Sequence, residues 1–292
     1  MVIGFAAGGG TDVVSRMIAK SLERRLGRRV EVENRPGSAG ALPGEMMKRT
    51  PPDGSTVAFL ASTTLVSKLV LPTFPFDPRK DIEPISVAGS WPMGFAVSPK
   101  LDAATFSDYL AWLKDGDASR RRVGNTASDA FIQTFNLMTS KAMGISLEPI
   151  TYRGTAALVS DLNDGRLPAA ASGIVSLLEH HRGGRLRLLL TTGKKRLTVA
   201  PNLPTARELG HPDLEVVEWF VVVAPKDTPE PIIDEWNKML QLVMDEPELA
   251  AQLGQLGLTP ETSTPAEAAA RIVAHQKSWH QRMISVGMQP MN

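Results

Sequence analysis

The run Phe5-Ala6-Ala7-Gly8-Gly9-Gly10-Thr11-Asp12 has the residue types of a turn that binds an anion through its backbone. Consecutive glycines let the chain turn sharply and keep side chains away from a ligand. A helix starting directly after them offers N–H groups that have no partner within the helix, together with a partial positive charge. Such a junction suits a carboxylate or a phosphate, and Ala7, Gly8, Gly9, Thr11 and Asp12 are its candidate contacts. The spacing is not G-x-G-x-x-G, and G-x-x-x-x-G-K-[ST] occurs nowhere, which argues against a nucleotide. A tight strand–helix turn without a ligand is the plainer alternative. Against it, glycines in succession are costly flexibility unless something must come close to the backbone.

Few other residues could carry chemistry. The chain has no cysteine, which excludes disulfides, thiolate catalysis and thiolate-bound metal and leaves the compartment open. His180 and His181 are adjacent, so on a helix they diverge by about 100° and chelate one ion poorly. His211 precedes a proline, and His275 and His280 fall on a helix that reads as exposed; none has an obvious partner. G-x-S-x-G, H-E-x-x-H and EF-hand loops are absent. Asp12, Asp129 and Asp161 could pose as acids, but each is more simply a helix cap or a surface charge. The basic runs Arg24-Arg25, Arg28-Arg29 and Arg120-Arg121-Arg122 lack interleaved aromatics, and the net charge is only +1. The expectation is a protein without catalysis, metal or cofactor, and without nucleic acid as a partner.

The elements that would position the glycine turn alternate strand and helix. Met1 to Phe5 reads as a strand; Val14, Ile18, Leu22 and Leu26 form one apolar helix face, closed by Gly27. Strands are expected over 30–32 and 56–60, a helix over 40–49, and a helix capped by Ser62-Thr63-Thr64. Pro51-Pro52-Asp53-Gly54 is a hard turn. A second series places strands over 123–125, 147–150, 167–171 and 186–191. Its helices begin at Ser128-Asp129 and span 156–163 and 176–182. A β run over 215–224 precedes C-terminal helices marked by Pro231 and Pro265. Strands alternating with helices imply mostly parallel sheets covered by helices.

These segments sort into a first lobe over 1–98, a second over 99–218, and a return over 219–292 that packs on the first, with the first crossing at Ser98-Pro99. Two such lobes enclose a cleft, and ligands in open α/β sheets bind beyond the carboxyl ends of the strands. Those ends carry Gly8–Asp12, Ser62 and Thr63, Asn125, Thr126 and Ser128, Gly154 and Thr155, and Ser172 and Ser176. Trp219, in the returning β run, either packs a core or lines the cleft. No stretch approaches the length of a membrane-spanning helix. No secretory signal is visible ahead of the first strand, and its short amino side suggests a longer precursor.

The ordered set Ala6-Ala7-Gly8-Gly9-Gly10-Thr11-Asp12, Glu33-Asn34-Arg35-Pro36-Gly37, Pro52-Asp53-Gly54, Tyr152-Arg153-Gly154, Trp219-Phe220 and Ala224-Pro225 resembles the Bug, or TctC, family. These are extracytoplasmic solute-binding proteins of tripartite tricarboxylate transporters. The resemblance implies a two-lobed periplasmic-binding-protein fold of type II, a periplasmic location and a monomer. It also implies capture of a small organic carboxylate, delivered to the subunits of a membrane permease. The family usually has proline where Gly4 stands, an aromatic where Ser55 stands and often aspartate where Ser172 stands. The first lobe follows the family pattern more closely than the second. The shared carboxylate is therefore expected on the glycine turn, with Asn125, Thr126, Ser128 and Ser172 reading the rest of the acid.

Overall fold

In the computed structural model, which describes residues 1–114, 116–126 and 130–291, glycines and prolines set the helix limits. Strand β1 (Val2–Ile3) leads into α1 (Gly10–Leu26), followed by β2 (Glu33–Asn34), α2 (Leu42–Met47), β3 (Ala58–Ala61), α3 (Ser62–Val66) and β4 (Ile82–Val97). Next come α4 (Phe106–Lys114), β5 (Arg122–Asn125), α5 (Ala130–Met143), β6 (Glu148–Thr151), α6 (Thr155–Asp164), β7 (Ala169–Gly173), α7 (Leu178–Arg182) and β8 (Arg187–Thr191). The chain closes with β9 (Val217–Pro225), α8 (Glu230–Met244), α9 (Pro247–Gln255) and α10 (Pro265–Ser285). Gly27 ends α1 in the left-handed region at φ 63°, and Gly165 ends α6 likewise at φ 77°. Thr264 and Glu267 form a reciprocal capping box ahead of Pro265 at the start of α10.

The chain forms two compact units. The first comprises Met1–Ser90, Glu218–Gly254 and Thr259–Asn292; the second comprises Trp91–Val217 and Gln255–Leu258. The first boundary falls inside β4, earlier than the Ser98-Pro99 position read from the sequence, because β4 runs without a break through the intervening apolar residues. The excursion at 255–258 has no sequence signal that anticipated it.

In the first unit β1 pairs in parallel with β2 and β3, and β3 pairs antiparallel with β9, Ala61 opposite Phe220. In the second, β5 pairs in parallel with β6 and β7, while β4 pairs antiparallel with β7 and β8. The sheets are thus mixed, and each of these antiparallel pairings involves β4 or β9. Trp219, Val221 and Val223 of β9 join Leu60, Leu65, Val87, Ala268 and Ile272 in a buried cluster of the first unit.

Three local expectations change. No strand forms over 30–32; the strand is β2, because register opposite β1 places Glu33 and Asn34 beside Val2 and Ile3. The helix expected over 40–49 is only α2, preceded by a single 3₁₀ turn at Ser38–Gly40. Ser62 does not cap α3: Ala61 is the N-cap residue, without a side-chain bond. The cap expected at Ser128-Asp129 lies outside the described residues.

Candidate functional site

The glycine turn sits where β1 hands over to α1. Gly9 is the N-cap of α1, extended at φ −80°, and no side chain caps the helix. The first-turn amides of Gly10, Thr11 and Asp12 therefore have no intrahelical acceptor. Gly8 has φ 81°, a conformation that requires glycine or costs strain. Ala7 and Gly8 are exposed, and Gly9 and Thr11 are half-buried.

Asp12 does not face solvent. It is 4% exposed, and its carboxylate accepts from the Gly8 amide at 2.9 Å, from Arg16 Nε at 2.9 Å and from Asn34 Nδ2 at 2.9 Å. Asn34 Nδ2 also donates to the Phe5 carbonyl at 3.0 Å, and Arg16 donates to Asn34 Oδ1 at 2.8 Å. Burial acts to raise the Asp12 pKa. The bonds from Gly8, Asn34 and Arg16 outweigh it and hold the carboxyl below the ordinary aspartate range. Asp12 is a positioning residue that fixes the turn, and the sequence reading missed its partner Asn34.

A second turn, also missed, closes against the first. Gly37, Ser38, Ala39 and Gly40 all have positive φ, at 140°, 47°, 54° and 83°. A Cβ on Gly4 would lie 2.2 Å from the Gly40 carbonyl oxygen. Only glycine fits at position 4 with this turn in place, so the departure from the family's proline has a steric counterpart here.

At the end of β3, Thr63 is half-buried, whereas Ser62 is fully buried. Ser62 Oγ accepts from the Trp219 amide at 3.0 Å and donates to Glu218 at 2.5 Å. Trp219 is 2% exposed, packed in the core with Arg271 4.8 Å above its ring. His275, read from sequence as exposed, is buried beside Glu218 at 3.4 Å. The sequence signal was present but faint: Glu218 is the one charged residue of β9, and Trp279 stands one helical turn beyond His275. This serine, glutamate and histidine do not form a nucleophilic triad. The hydroxyl is inaccessible, and its proton points to the carboxyl rather than to the imidazole.

In the second unit the carboxyl ends of β5, β6 and β7 share one edge, since these strands run parallel. Asn125 is fully buried; its Nδ2 donates to the Val123 carbonyl at 3.1 Å and its Oδ1 has no partner. Thr126 Oγ1 and Ser172 Oγ lie 3.2 Å apart. Gly154 is the N-cap of α6, again without a side-chain cap, and Thr155 and Ser176 are half-buried. Tyr152 donates to Asp161 at 2.8 Å, and Arg166 Nε donates to the same carboxylate at 2.8 Å, so Asp161 is an anchor for the β6–α6 turn. Ser128 lies outside the described residues. Among the described residues no cluster of histidine, aspartate and glutamate has metal-binding geometry, and no helix is long and apolar enough to cross a membrane.

Known proteins share both the sequence pattern and this architecture. The sequence profile of the tripartite tricarboxylate transporter family receptor matches residues 14–287. Protein BugT of Bordetella pertussis is 30% identical over 284 residues, covering 96% of this chain and 86% of BugT. The periplasmic binding protein BugD superposes with a TM-score of 0.90 at 26% identity, over 99% of this chain and 97% of BugD. A Rhodopseudomonas palustris protein, Rpa4515, solved with adipate, superposes with a TM-score of 0.92 at 24% identity, over 99% of this chain and 97% of its own. With the profile spanning nearly its whole length and its α/β units folded as in these binding proteins, the chain belongs to the receptor family of tripartite tricarboxylate transporters, the TctC or Bug solute-binding proteins.

Proposed function

We propose that this receptor captures one small organic acid by its ionised carboxylate at the glycine turn, releases it unchanged, and passes it to the membrane subunits of a tripartite permease. The observation that carries the reading is the uncapped first turn of α1, held ready by the Gly8–Asp12 bond. The amides of Gly10 and Thr11 and the hydroxyls of Thr11 and Thr63 supply the carboxylate contacts, while Asp12, Ser62 and Trp219 hold these groups in place. Hydrogen bonds to a charged group contribute roughly 1.5–3 kcal/mol each. Three or four of them, less the cost of ordering, support micromolar binding near about −8 kcal/mol. The adipate in Rpa4515 makes a dicarboxylate of similar length a suitable first probe.

Asn125, Thr126, Gly154, Thr155, Ser172 and Ser176 of the second unit read the remainder of the acid. They offer hydroxyl, amide and backbone groups rather than cations, which favours an acid with a distal polar group. Among the described residues no positioned nucleophile and base support catalysis: Ser62, Glu218 and His275 lie together but are buried. Binding as a monomer in the periplasm follows the family's pattern.

Calorimetry with adipate and other dicarboxylates, each compared with its amide and repeated with chelator, tests the reading. Binding of the acids alone, unchanged by chelator and with the ligand recovered intact, is expected. Equal binding of acid and amide, or loss of binding in chelator, contradicts it.

A further inference from the structure

Residues 34–40 fold back onto the end of β1 at three successive points. The Arg35 amide donates to the Ile3 carbonyl at 2.8 Å, and Asn34 Nδ2 donates to the Phe5 carbonyl at 3.0 Å. Gly40 then lies against both Gly4 and the Phe5 ring. A Cβ on Gly40 would stand 2.8 and 2.9 Å from two ring atoms, just as a Cβ on Gly4 would stand 2.2 Å from the Gly40 oxygen. Phe5 leads directly into the glycine turn. Asn34 Nδ2 also donates to the Asp12 carboxylate at 2.9 Å, and that carboxylate accepts from the Gly8 amide at 2.9 Å. The segment 34–40 therefore holds the glycine turn both at its entry and at its closing bond.

The far end of that segment is strained. The Gly40 amide donates to the Gly37 carbonyl at 2.9 Å and the Ala41 amide to the Ser38 carbonyl at 3.0 Å, which makes two overlapping turns. Their central residues Ser38, Ala39 and Gly40 have φ of 47°, 54° and 83°. This is the primed turn geometry that glycine, asparagine and aspartate favour. In serine or alanine it crowds Cβ against the following carbonyl oxygen, and Ser38 is exposed, so burial does not offset its strain. A second unfavourable group adjoins the first. Thr64 is fully buried, its Oγ1 has no hydrogen-bond partner, and a Cβ on Gly40 would lie 2.6 Å from that oxygen. Two left-handed residues in succession and an unpaired buried hydroxyl thus meet at one contact. Native proteins concentrate local conflicts of this kind at functional sites.

We propose that the strained Ser38–Ala39 turn is a positioning device for the glycine turn. It sets Gly40 onto Gly4 and Phe5, and serine and alanine at its centre keep it out of the other conformations that glycine visits freely. The strain lowers the stability of the chain and fixes the loop that opens α1. The link to acid affinity rests on the proposed role of the glycine turn; the clamp on Phe5 and Gly8 does not.

The double variant Ser38→Gly with Ala39→Gly in the intact chain tests this, because it relieves the strain without adding an atom. It is expected to melt about 2 °C or more above the wild type. At the same time the Gly8 amide, followed by hydrogen exchange in the absence of any acid, should exchange about threefold or more faster. A turn with a purely structural role would give slower or unchanged exchange in a more stable chain, so the opposite signs are the mark of positioning. A lower melting temperature shows that Ser38 and Ala39 are not strained, and a higher one with unchanged Gly8 exchange shows that the turn does not hold the glycine loop; either overturns the proposal. Calorimetry with adipate reads the consequence for binding, where the double variant should bind about threefold or more weakly. Unchanged affinity, with adipate binding to the wild type, overturns the positioning role in capture. The melting and exchange measurements need no acid, so they decide the clamp even where adipate fails to bind the wild type, a result that counts against the acid reading alone.

Discussion

The Gly8 amide donates to the Asp12 carboxylate at 2.9 Å, across the turn that opens α1. Asp12 therefore spends its charge on shaping the loop, and the proposed acid site is left to the amides beyond it. Asp12→Asn brings an amide group against the donors of Gly8, Arg16 and Asn34, leaving at least one unsatisfied. The expected loss is about 1–3 kcal/mol of stability, with weaker acid binding. The Asp12 pKa is depressed in the folded chain. Its stabilisation is present above the unfolded aspartate pKa and lost as pH falls through the folded one. Urea melts of wild type and Asp12→Asn should accordingly converge on acidification from neutral pH; a constant gap would contradict the assignment.

Gly9 and Gly4 are expected to respond in opposite ways. A Cβ on Gly9 would meet only the Ala6 carbonyl oxygen, at 3.4 Å, and φ there is −80°. Gly9→Val should thus fold with a melting curve close to wild type while a branched side chain blocks the amides of α1. Calorimetry should show adipate binding abolished; normal affinity with valine in place would remove the glycine turn from the site. A Cβ on Gly4 collides with the Gly40 backbone at 2.2 Å, a contact no side chain can relieve. Gly4→Ala should therefore destabilise the chain by about 1–3 kcal/mol or more, and unchanged stability would show that the 37–40 turn yields easily.

Ser55 borders a cavity of about 350 Å³ lined by Leu26, Arg28, Ile232, Trp236 and Met239, at the amino side of β3 and away from the glycine turn. The family usually carries an aromatic at this position. Ser55→Tyr should fill part of the cavity and raise stability by about 0.5–2 kcal/mol, read as a higher urea midpoint with unchanged m. A lower midpoint would mean that the ring does not enter the cavity.

The elements that read clearly from the sequence were those fixed by side-chain period and chain breakers. Val14, Ile18 and Leu22 are fully buried along α1, and Gly27 ends it. Strand β2 was misplaced because an edge strand needs only backbone pairing: Glu33 and Asn34 form it, while Val30 and Val32 remain half-buried outside it. The glycine turn was legible as a binding loop, but not which of its residues face inward. Asp12 and Ser62 look like surface groups in sequence and become internal through Asn34 and Trp219, partners distant in the chain. His275 escaped for the same reason, since helical period gives a face but not the strand packed on it.

The last prediction locates specificity. Thr126 and Ser172 hold each other at 3.2 Å, and the buried Asn125 Oδ1 lacks a partner. A buried acceptor left unsatisfied costs about 1–3 kcal/mol, so a ligand hydroxyl or protonated group that meets this edge is favoured over one that cannot donate. Ser172→Ala frees the Thr126 hydroxyl to turn, and Asn125→Ala removes the acceptor. Either change should alter the ranking of acids by about tenfold or more, at about 1.4 kcal/mol per decade. Thr11→Ala, on the glycine turn proposed to hold the carboxylate that all acids share, should weaken them alike. Calorimetric affinities of these variants for adipate, malate and their hydroxylated and unsubstituted relatives decide the matter. A uniform loss from the Asn125 and Ser172 changes, with the ranking intact, would place the choice of acid outside this strand edge.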